Sequence, residues 1–278
     1  MADEIMRSTP ELEGIIPELW SAAFQPVLLA KLPFADSVSR DYEGEISQLG
    51  DTINIASFPQ FDVATELTEG MPNDADSVTV NKTQLVINKQ VAKDYIITKK
   101  AMKQSIDAQN ALRDLALNSI LKKMQQVIVA EIAPSTTPDH SIAYTSGTTL
   151  SLADILAAKE LLDAQDIPEQ GRVAILGAAQ WNDLFNISGF VSRDYISNDS
   201  MATGSITTPL LGFRPTMTTT VGNTAYFFHP SFLQLAVQQS PEVEVISLGA
   251  NGTRAQRVNM DVLFGVKQMS DKGVVTIG

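Results

Sequence analysis

From Thr98 to about Ile132 the sequence contains neither glycine nor proline, and alanine, leucine, lysine and glutamine dominate it. Ala108, Leu112, Leu115, Ala116, Ile120, Met124, Val127 and Ile128 recur at three- and four-residue spacing, the period of one amphipathic helix. At 1.5 Å per residue such a helix is about 50 Å long, well beyond the usual three turns. A rod of that length is a strut, and the rest of the chain has to be arranged along it. PSTTPDHS, at 134–141, ends it.

The segment before the strut reads as extended. From Tyr42 the period is two: Ile53 and Ile55 alternate with Thr52 and Asn54, and Val63, Thr65 and Leu67, then Val78 and Val80, repeat the pattern. Between them TEGMPNDADS (68–77) is rich in turn formers. Leu85, Ile87, Val91, Tyr95 and Ile97 then line one face of a long strand, with Val86, Asn88, Gln90 and Asp94 on the other. The two runs make a long hairpin whose strands, at ~3.4 Å per residue, reach over about 30 Å. A free ribbon of two strands is only marginally stable in water, so this one needs a neighbour.

At the root of the hairpin, YEGEISQLGDTINI (42–55) places Gly50 and Asp51 just before the first strand. Glycine permits a turn conformation that other residues resist, and aspartate can bond the backbone just beyond it. Together they set the direction in which the Ile53/Ile55 strand leaves the body. A phosphate or metal corner would need further donors or ligands, and the sequence supplies none nearby.

Further upstream, Ser8-Thr9-Pro10-Glu11 is a helix start. Pro17, Pro26 and Pro33 then break GIIPELWSAAFQPVLLAKLPF into short pieces carrying Trp20, Phe24, Leu28 and Leu29. An apolar arm of short pieces makes a poor core of its own and suits lying on another surface.

Beyond the strut, 142–240 reads as mixed α/β. LSLADILAAKELLDAQ (150–165) is a helix capped by Ser151, RVAIL (172–176) a buried strand, GAAQWNDLFN (177–186) a second helix, and AYFFHP a further strand. EVEVISL and RVNMDVLFGVKQM flank a turn with Asn251-Gly252, a hairpin signal. Asp271-Lys272-Gly273 turns into VVTIG, and no internal repeat is present.

The net charge of −12 is divided unevenly: residues 1–80 hold 15 acids and 3 bases, residues 81–125 hold 9 bases and 3 acids. Such unevenness is either solvated surface or complementarity, with the acidic first segment docking on the basic second one of another copy. With no cysteine there is no disulfide framework or thiolate site. No window approaches the roughly 18 uninterrupted apolar residues of a membrane span. The acidic start MADEIMRSTPELEG is no secretory signal, so synthesis in a cytosol is expected.

Signs of catalysis are thin. His140 lies in a Pro/Thr/Ser loop and His229 precedes Pro230, and neither has a second histidine near it in sequence. No nucleophile elbow, phosphate loop or dinucleotide fingerprint is present. Asp74-Ala75-Asp76, near Glu66 and Glu69, departs from calcium-loop spacing at Val78 and reads as a solvated turn. Lys99, Lys100, Lys103, Arg113, Lys122 and Lys123 lack interleaved aromatics, so specific nucleic-acid reading is not expected.

The run IIPELWS…LLAKLPFADSVSRDYEGEISQLGDTINI resembles the front of tailed-bacteriophage major capsid proteins with the Hong Kong 97-type fold. The helix at 98–132, AILGAAQWNDLF, GSITTPLLGFRP and VNMDVLFGVKQM continue the resemblance in order over nearly the whole chain. It implies an α+β capsid fold with five parts. These are an N-terminal arm (1–40), an extended β-hairpin loop and its base (41–97), a peripheral domain with a spine helix (98–144), a mixed α/β axial domain (145–235), and C-terminal strands returning to the peripheral domain (236–278).

The resemblance further implies a non-enzymatic virion protein, without cofactor or metal, assembled in the host cytoplasm. Copies would form hexamers and pentamers and then an icosahedral shell around double-stranded DNA, held without sequence specificity and away from any membrane. With no long helical leader in the sequence, a separate scaffolding protein is expected, together with a portal and possible decoration protein.

Trp20, Phe24, Glu43, Glu45, Gly50, Asp51, Glu66, Glu69, Pro72, Lys82, Lys99, Lys100 and Lys103 are the candidate subunit-interface residues. Some relatives cross-link lysine to asparagine between subunits; Lys82 is on the loop, but no asparagine partner or activating acid is identifiable. Two other classes stay open on the sequence alone. One is an oligomeric surface-binding or adhesion protein using the hairpin as an interaction arm. The other is an enzyme with dispersed groups in the 145–240 lobe.

Overall fold

A five-stranded sheet that is apolar on both faces divides the molecule into two cores. The computed structural model describes residues 33–43, 52–57, 66, 80–99, 106–187, 206, 209–248 and 254–278. Among these the chain forms α1 (Pro33–Ser37), β1 (Thr52–Ser57), β2 (Asn81–Val86), β3 (Lys89–Thr98) and α2 (Ile106–Ala130). It continues with β4 (Ser141–Ile142), α3 (Leu152–Asp163), β5 (Val173–Leu176), α4 (Ala178–Leu184), β6 (Arg214–Met217) and β7 (Ala225–Phe228). A 3-10 turn (Pro230–Phe232) leads into β8 (Leu233–Ser247), β9 (Ala255–Gln268) and β10 (Val274–Ile277).

The five-stranded sheet has the order β4-β10-β7-β5-β6. Its inner strands are short, nearly unbroken apolar runs, VAIL, AYFF and VVTI, as expected of strands covered on both sides. Successive side chains point to opposite faces. Val173, Ile175, Phe228 and Val274 enter one core, and Ala174, Leu176, Phe227, Val275 and Ile277 the other. The second core is closed by α3 and α4 through Ile155, Ala158, Leu162 and Leu184.

The first core continues into the three-stranded sheet β3-β9-β8 and the long helix. On β9, Val258, Met260, Val262 and Phe264 are buried while Arg257, Asn259 and Asp261 face away, so a clean period of two builds a sheet with one covered face. Helix α2 lies against the covered face through Ala116, Leu117, Ile120, Leu121, Met124 and Ile128. The helical phase differs from the expected one. Leu117 and Leu121 complete the buried seam, whereas Leu115 is 65% exposed and Leu112 37%.

Thr98, expected to open the strut, belongs to a strand instead. Thr98 is the last residue of β3, paired with Ala255, and the Lys99 amide donates to the Arg254 carbonyl at 2.8 Å. The alternating run Tyr95–Thr98 therefore stays in the strand ladder, which outweighs helix propensity there. The described helix has 25 residues, about 37 Å at 1.5 Å per residue.

The strand expected to run through Leu85 to Ile97 keeps its alternation but divides between two sheets at Ile87-Asn88. β2 pairs antiparallel with β1, and β3 pairs antiparallel with β9. β8 is longer than its EVEVISL segment suggests, because it begins at Leu233 and passes through Pro241. The ladder to β9 shifts register on either side of Gln239. Bulges and edge strands are where proline is tolerated in a sheet. The C-terminal strands part company: β8 and β9 join β3, while β10 inserts between β4 and β7.

The arm expected through residue 40 is built into this chain's own core from Pro33 onward. Phe34, Ala35 and Val38 of the α1 region are buried, with Phe34 edge-on to Tyr226 at 5.7 Å. The α1 segment contacts both α2 and β5, and Phe34 joins the core they share. Ser39 then forms a parallel bridge to Gln234, and the Leu235 amide donates to its carbonyl at 3.0 Å.

Candidate functional site

The root of the hairpin is fastened at three points. Ile53 and Ile55 of β1 pack with Leu85, Ile87, Ala236 and Leu263 in a small separate cluster. Gly265 of β9 passes so close to the β2 end that a Cβ there would lie 2.6 Å from the Val86 carbonyl oxygen. The Glu43 carboxylate accepts from the Val237 amide at 3.3 Å, beside the β8 irregularity, and pairs with Arg40 Nε at 3.4 Å. Glu43, expected to face a neighbour, thus has its oxygen engaged within the chain.

The other candidate interface residues are placed unevenly. Lys82, on β2 opposite Ala56, is exposed, as are Glu66 and Lys99. Among the described residues, the bonds of Glu43 go to Arg40 and Val237 and to none of these three. Trp20, Phe24, Glu45, Gly50, Asp51, Glu69, Pro72, Lys100 and Lys103 lie outside the described residues, as do the hairpin tip at 68–77 and the Asn251-Gly252 turn.

Two surfaces outside the candidate interface residues are conspicuous. The open face of the three-stranded sheet carries Asp94, Glu242, Glu244 and Asp261 around Arg257. Arg257 pairs with Asp94, and Gln90 Nε2 donates to Asp261 at 2.8 Å. At one end of this face Ile96 stands 63% exposed, beyond what a solvated sheet needs. The second surface is the outward side of α2, with Leu112, Leu115, Lys122 and Lys123 exposed. Once packing selects the seam through Leu117, Leu121, Met124 and Ile128, Leu115 falls among Ser119, Lys122 and Gln126 on the polar face.

Residues 47–278 match the family model described as phage capsid protein. The chain belongs to the phage capsid protein family. No curated protein matches it. Solved structures similar in fold include Mycobacterium phage Che8, with a TM-score of 0.69 at 23% identity, covering 89% of this chain and 91% of that one. The Cyanophage Pam1 capsid asymmetric unit gives 0.66 at 15% identity, with 88% and 90% covered. Mycobacterium phage Adephagia gives 0.64 at 13% identity, with 88% of each chain covered. The protein is a structural major capsid protein with the Hong Kong 97-type fold.

The titratable groups of the capsid protein serve its scaffold. His140 was expected as a loop histidine, yet its side chain is fully buried, with Nδ1 at 2.9 Å from the Val274 carbonyl, which staples the 134–141 loop to β10. Burial pushes His229 below the ordinary histidine value, and its Nδ1 meets Ser231 Oγ at 2.7 Å. Arg172, 1% exposed, donates to the carbonyls of Pro168 and Ile167 and reaches Asp163 at 2.7 Å. It thereby closes the loop between α3 and β5.

A cleft of about 450 Å³ beside Arg172 is lined by Asp36, Gly171, Pro209, Arg214 and Pro230. Its buried arginine is already bonded to Pro168, Ile167 and Asp163, and the other charged groups of the lining, Asp36 and Arg214, are exposed. Among the described residues no group of three or more histidines and carboxylates gathers for a metal. Nor, among them, is any helix long and apolar enough to cross a membrane.

Proposed function

We propose that the capsid protein assembles through hexamers and pentamers into an icosahedral bacteriophage head that encloses double-stranded DNA. The family match over residues 47–278 carries this reading. It is supported by a hairpin rooted on the body and by apolar side chains at Ile96, Leu112 and Leu115 that one subunit leaves uncovered. A scaffolding protein and a portal act in assembly in the host cytoplasm, a decoration protein is a further possible partner, and the chain needs no catalytic group, cofactor or metal. The five units, 1–40, 41–97, 98–144, 145–235 and 236–278, serve as arm, extended loop, peripheral domain, axial domain and closing strands. An acidic wall does not grip DNA tightly, so the contact with packaged DNA is loose and indifferent to sequence.

In this reading the loop residues Glu45, Gly50-Asp51, Glu66, Glu69 and Pro72, with Lys82 on the same loop, lie over the basic strut region at Lys99, Lys100 and Lys103 of a neighbour. Trp20 and Phe24 of the arm add apolar contacts. Electron microscopy of the purified protein tests assembly itself: capsomers, tubes or closed shells are expected, and a stable monomer at high concentration counts against it. Changing Lys99, Lys100 and Lys103 to glutamate tests the charge contact. Assembly should weaken, most at low salt where screening is least. Normal assembly of that variant at every salt concentration sinks the charge contact but not the capsid reading.

A further inference from the structure

The long helix carries a buried polar side chain among its core residues. Gln125 is 5% exposed, one turn on from Leu121 and one turn before Ile128. Its Oε1 accepts from the Thr220 hydroxyl at 2.5 Å and from the Thr218 hydroxyl at 3.2 Å. Both threonines belong to the loop between β6 and β7, whose Val221 enters the same core as α2.

The other side of that loop is fastened to the five-stranded sheet and α4. The Thr218 amide donates to the Leu176 carbonyl at 2.9 Å, which extends the β5–β6 ladder by one residue. Gln180 Nε2 donates to Asn223 Oδ1 at 2.7 Å and to its carbonyl at 2.9 Å, and the Tyr144 hydroxyl donates to the same carbonyl. Gly222, at φ +63°, brings its carbonyl oxygen within 2.2 Å of where a Cβ of Gly177 would stand, so the loop backbone rests directly on the start of α4. Residues 218–223 are thereby braced on the lobe and reach out to the helix.

Apolar packing is non-directional, and a helix seated on it alone can turn or slide by small amounts. Hydrogen bonds weaken steeply away from their preferred geometry. Two hydroxyls aimed at one amide oxygen from a braced loop therefore hold α2 at one angle to the lobe. The helix in turn carries the three-stranded sheet through Leu117, Leu121 and Met124.

We propose that loop 218–223, acting through Gln125, is the joint that fixes the angle between α2 with its three-stranded sheet and the lobe of the five-stranded sheet, and that this angle sets the curvature of the shell. The proposal rests on the assembly reading above and adds the residues that select one particle size. Every copy repeats the angle, so a small error accumulates from subunit to subunit and decides whether a surface closes.

Gln125→Leu with Thr218→Val and Thr220→Val replaces acceptor and donors together by apolar groups of similar shape, a change close to neutral for stability. The joint then holds by packing alone. Electron microscopy should show the fraction of particles at the parent diameter falling about tenfold, with shells of other diameters or tubes in their place. Thr218→Ser with Thr220→Ser keeps both hydroxyls and should keep the parent diameter.

Shells of the parent diameter from a triple variant whose unfolding midpoint matches the parent overturn the proposal. Folded triple-variant subunits that form no particles also overturn it, since a freed angle redirects assembly without removing the contacts between copies. A spread of diameters in the serine pair as well would assign the effect to lost methyl packing and overturn it too. If the triple variant unfolds early, Thr220→Val alone, which keeps the Thr218 bond, is read by the same measure. If the unsubstituted chain forms no particles, both this proposal and the assembly reading fall. If it forms uniform particles that the triple variant reproduces, only this proposal falls.

Discussion

Phe34 stacks on Phe228 with ring planes 9° apart and centroids separated by 6.1 Å. One ring comes from the N-terminal segment and the other from the middle of the five-stranded sheet, so the stack ties the start of the described chain to its core. Phe34→Ala should cost about 3–5 kcal/mol, the usual range for deleting a fully buried aromatic ring. The denaturant midpoint of the unassembled subunit measures it. A shift worth under about 1 kcal/mol would mean that α1 docks only loosely.

At the hairpin root the limiting contact is backbone against backbone. A Cβ at Gly265 meets the Val86 carbonyl oxygen at 2.6 Å, its carbon at 3.0 Å and the Ile87 Cα at 3.1 Å. None of these atoms can rotate away. Gly265→Ala should therefore destabilise by about 1–3 kcal/mol, as overpacked sites do, and Gly265→Val by more. Thermal unfolding and protease cleavage near the root are the measurements, and an unmoved midpoint for both variants contradicts the close approach.

Asp154 is 1% exposed at the start of α3. Burial works against its ionisation, but donors from Thr145 and Ser151 outweigh it and hold its carboxyl below the ordinary aspartate value of 3.8. A lowered value in the fold means that ionised Asp154 favours the folded state. Its contribution is complete above about pH 4 and is lost as pH falls through the folded value. Asp154→Asn should lower stability at neutral pH by about 1–3 kcal/mol and flatten the decline below pH 4. Parallel stability curves for the two proteins between pH 5 and pH 2 would refute this.

Arg172 is held by two backbone carbonyls, Pro168 and Ile167 at 3.0 and 2.6 Å. Arg172→Met keeps much of the volume and removes every donor, leaving both oxygens without them. A loss of about 1–3 kcal/mol is expected. Asp163→Asn, which leaves those carbonyl bonds intact at a half-exposed position, should cost less than about 1 kcal/mol. Calorimetry of the pair tests the ranking, and equal losses would assign the effect to the ion pair instead.

The elements most legible in the sequence were those with a clear period or a capping signal. VAIL and AYFF were read as strands from their composition, and α3 from Ser151 and its apolar spacing, because local chemistry and final environment agree there. Ser151 caps α3 as expected, and Asp154 completes a capping box that the sequence reading had not named. Leu115 was misassigned because a helix with leucines on two sides admits two phases, and only the packing of Leu117 and Leu121 against β9 selects one.

Thr98 stayed in a strand because Ala255, far away in sequence, offered a partner. The same holds for Pro241, whose place in β8 depends on an irregular ladder that no local signal announces. Of the candidate interface, Glu43 was legible as a surface acid but not as a partner of Val237, since that contact joins residues remote in the chain.

The position of the last two strands has a consequence for how the molecule is made. β9 is the middle strand of its sheet, and β10 lies between β4 and β7. Neither sheet can close until residues 255–277 have left the ribosome, and contacts this distant in sequence form slowly. A truncated chain exposes the apolar faces of both unfinished sheets and is exposed to aggregation or degradation. Completion of synthesis thereby becomes a checkpoint, and only whole subunits arrive in a form able to join a shell.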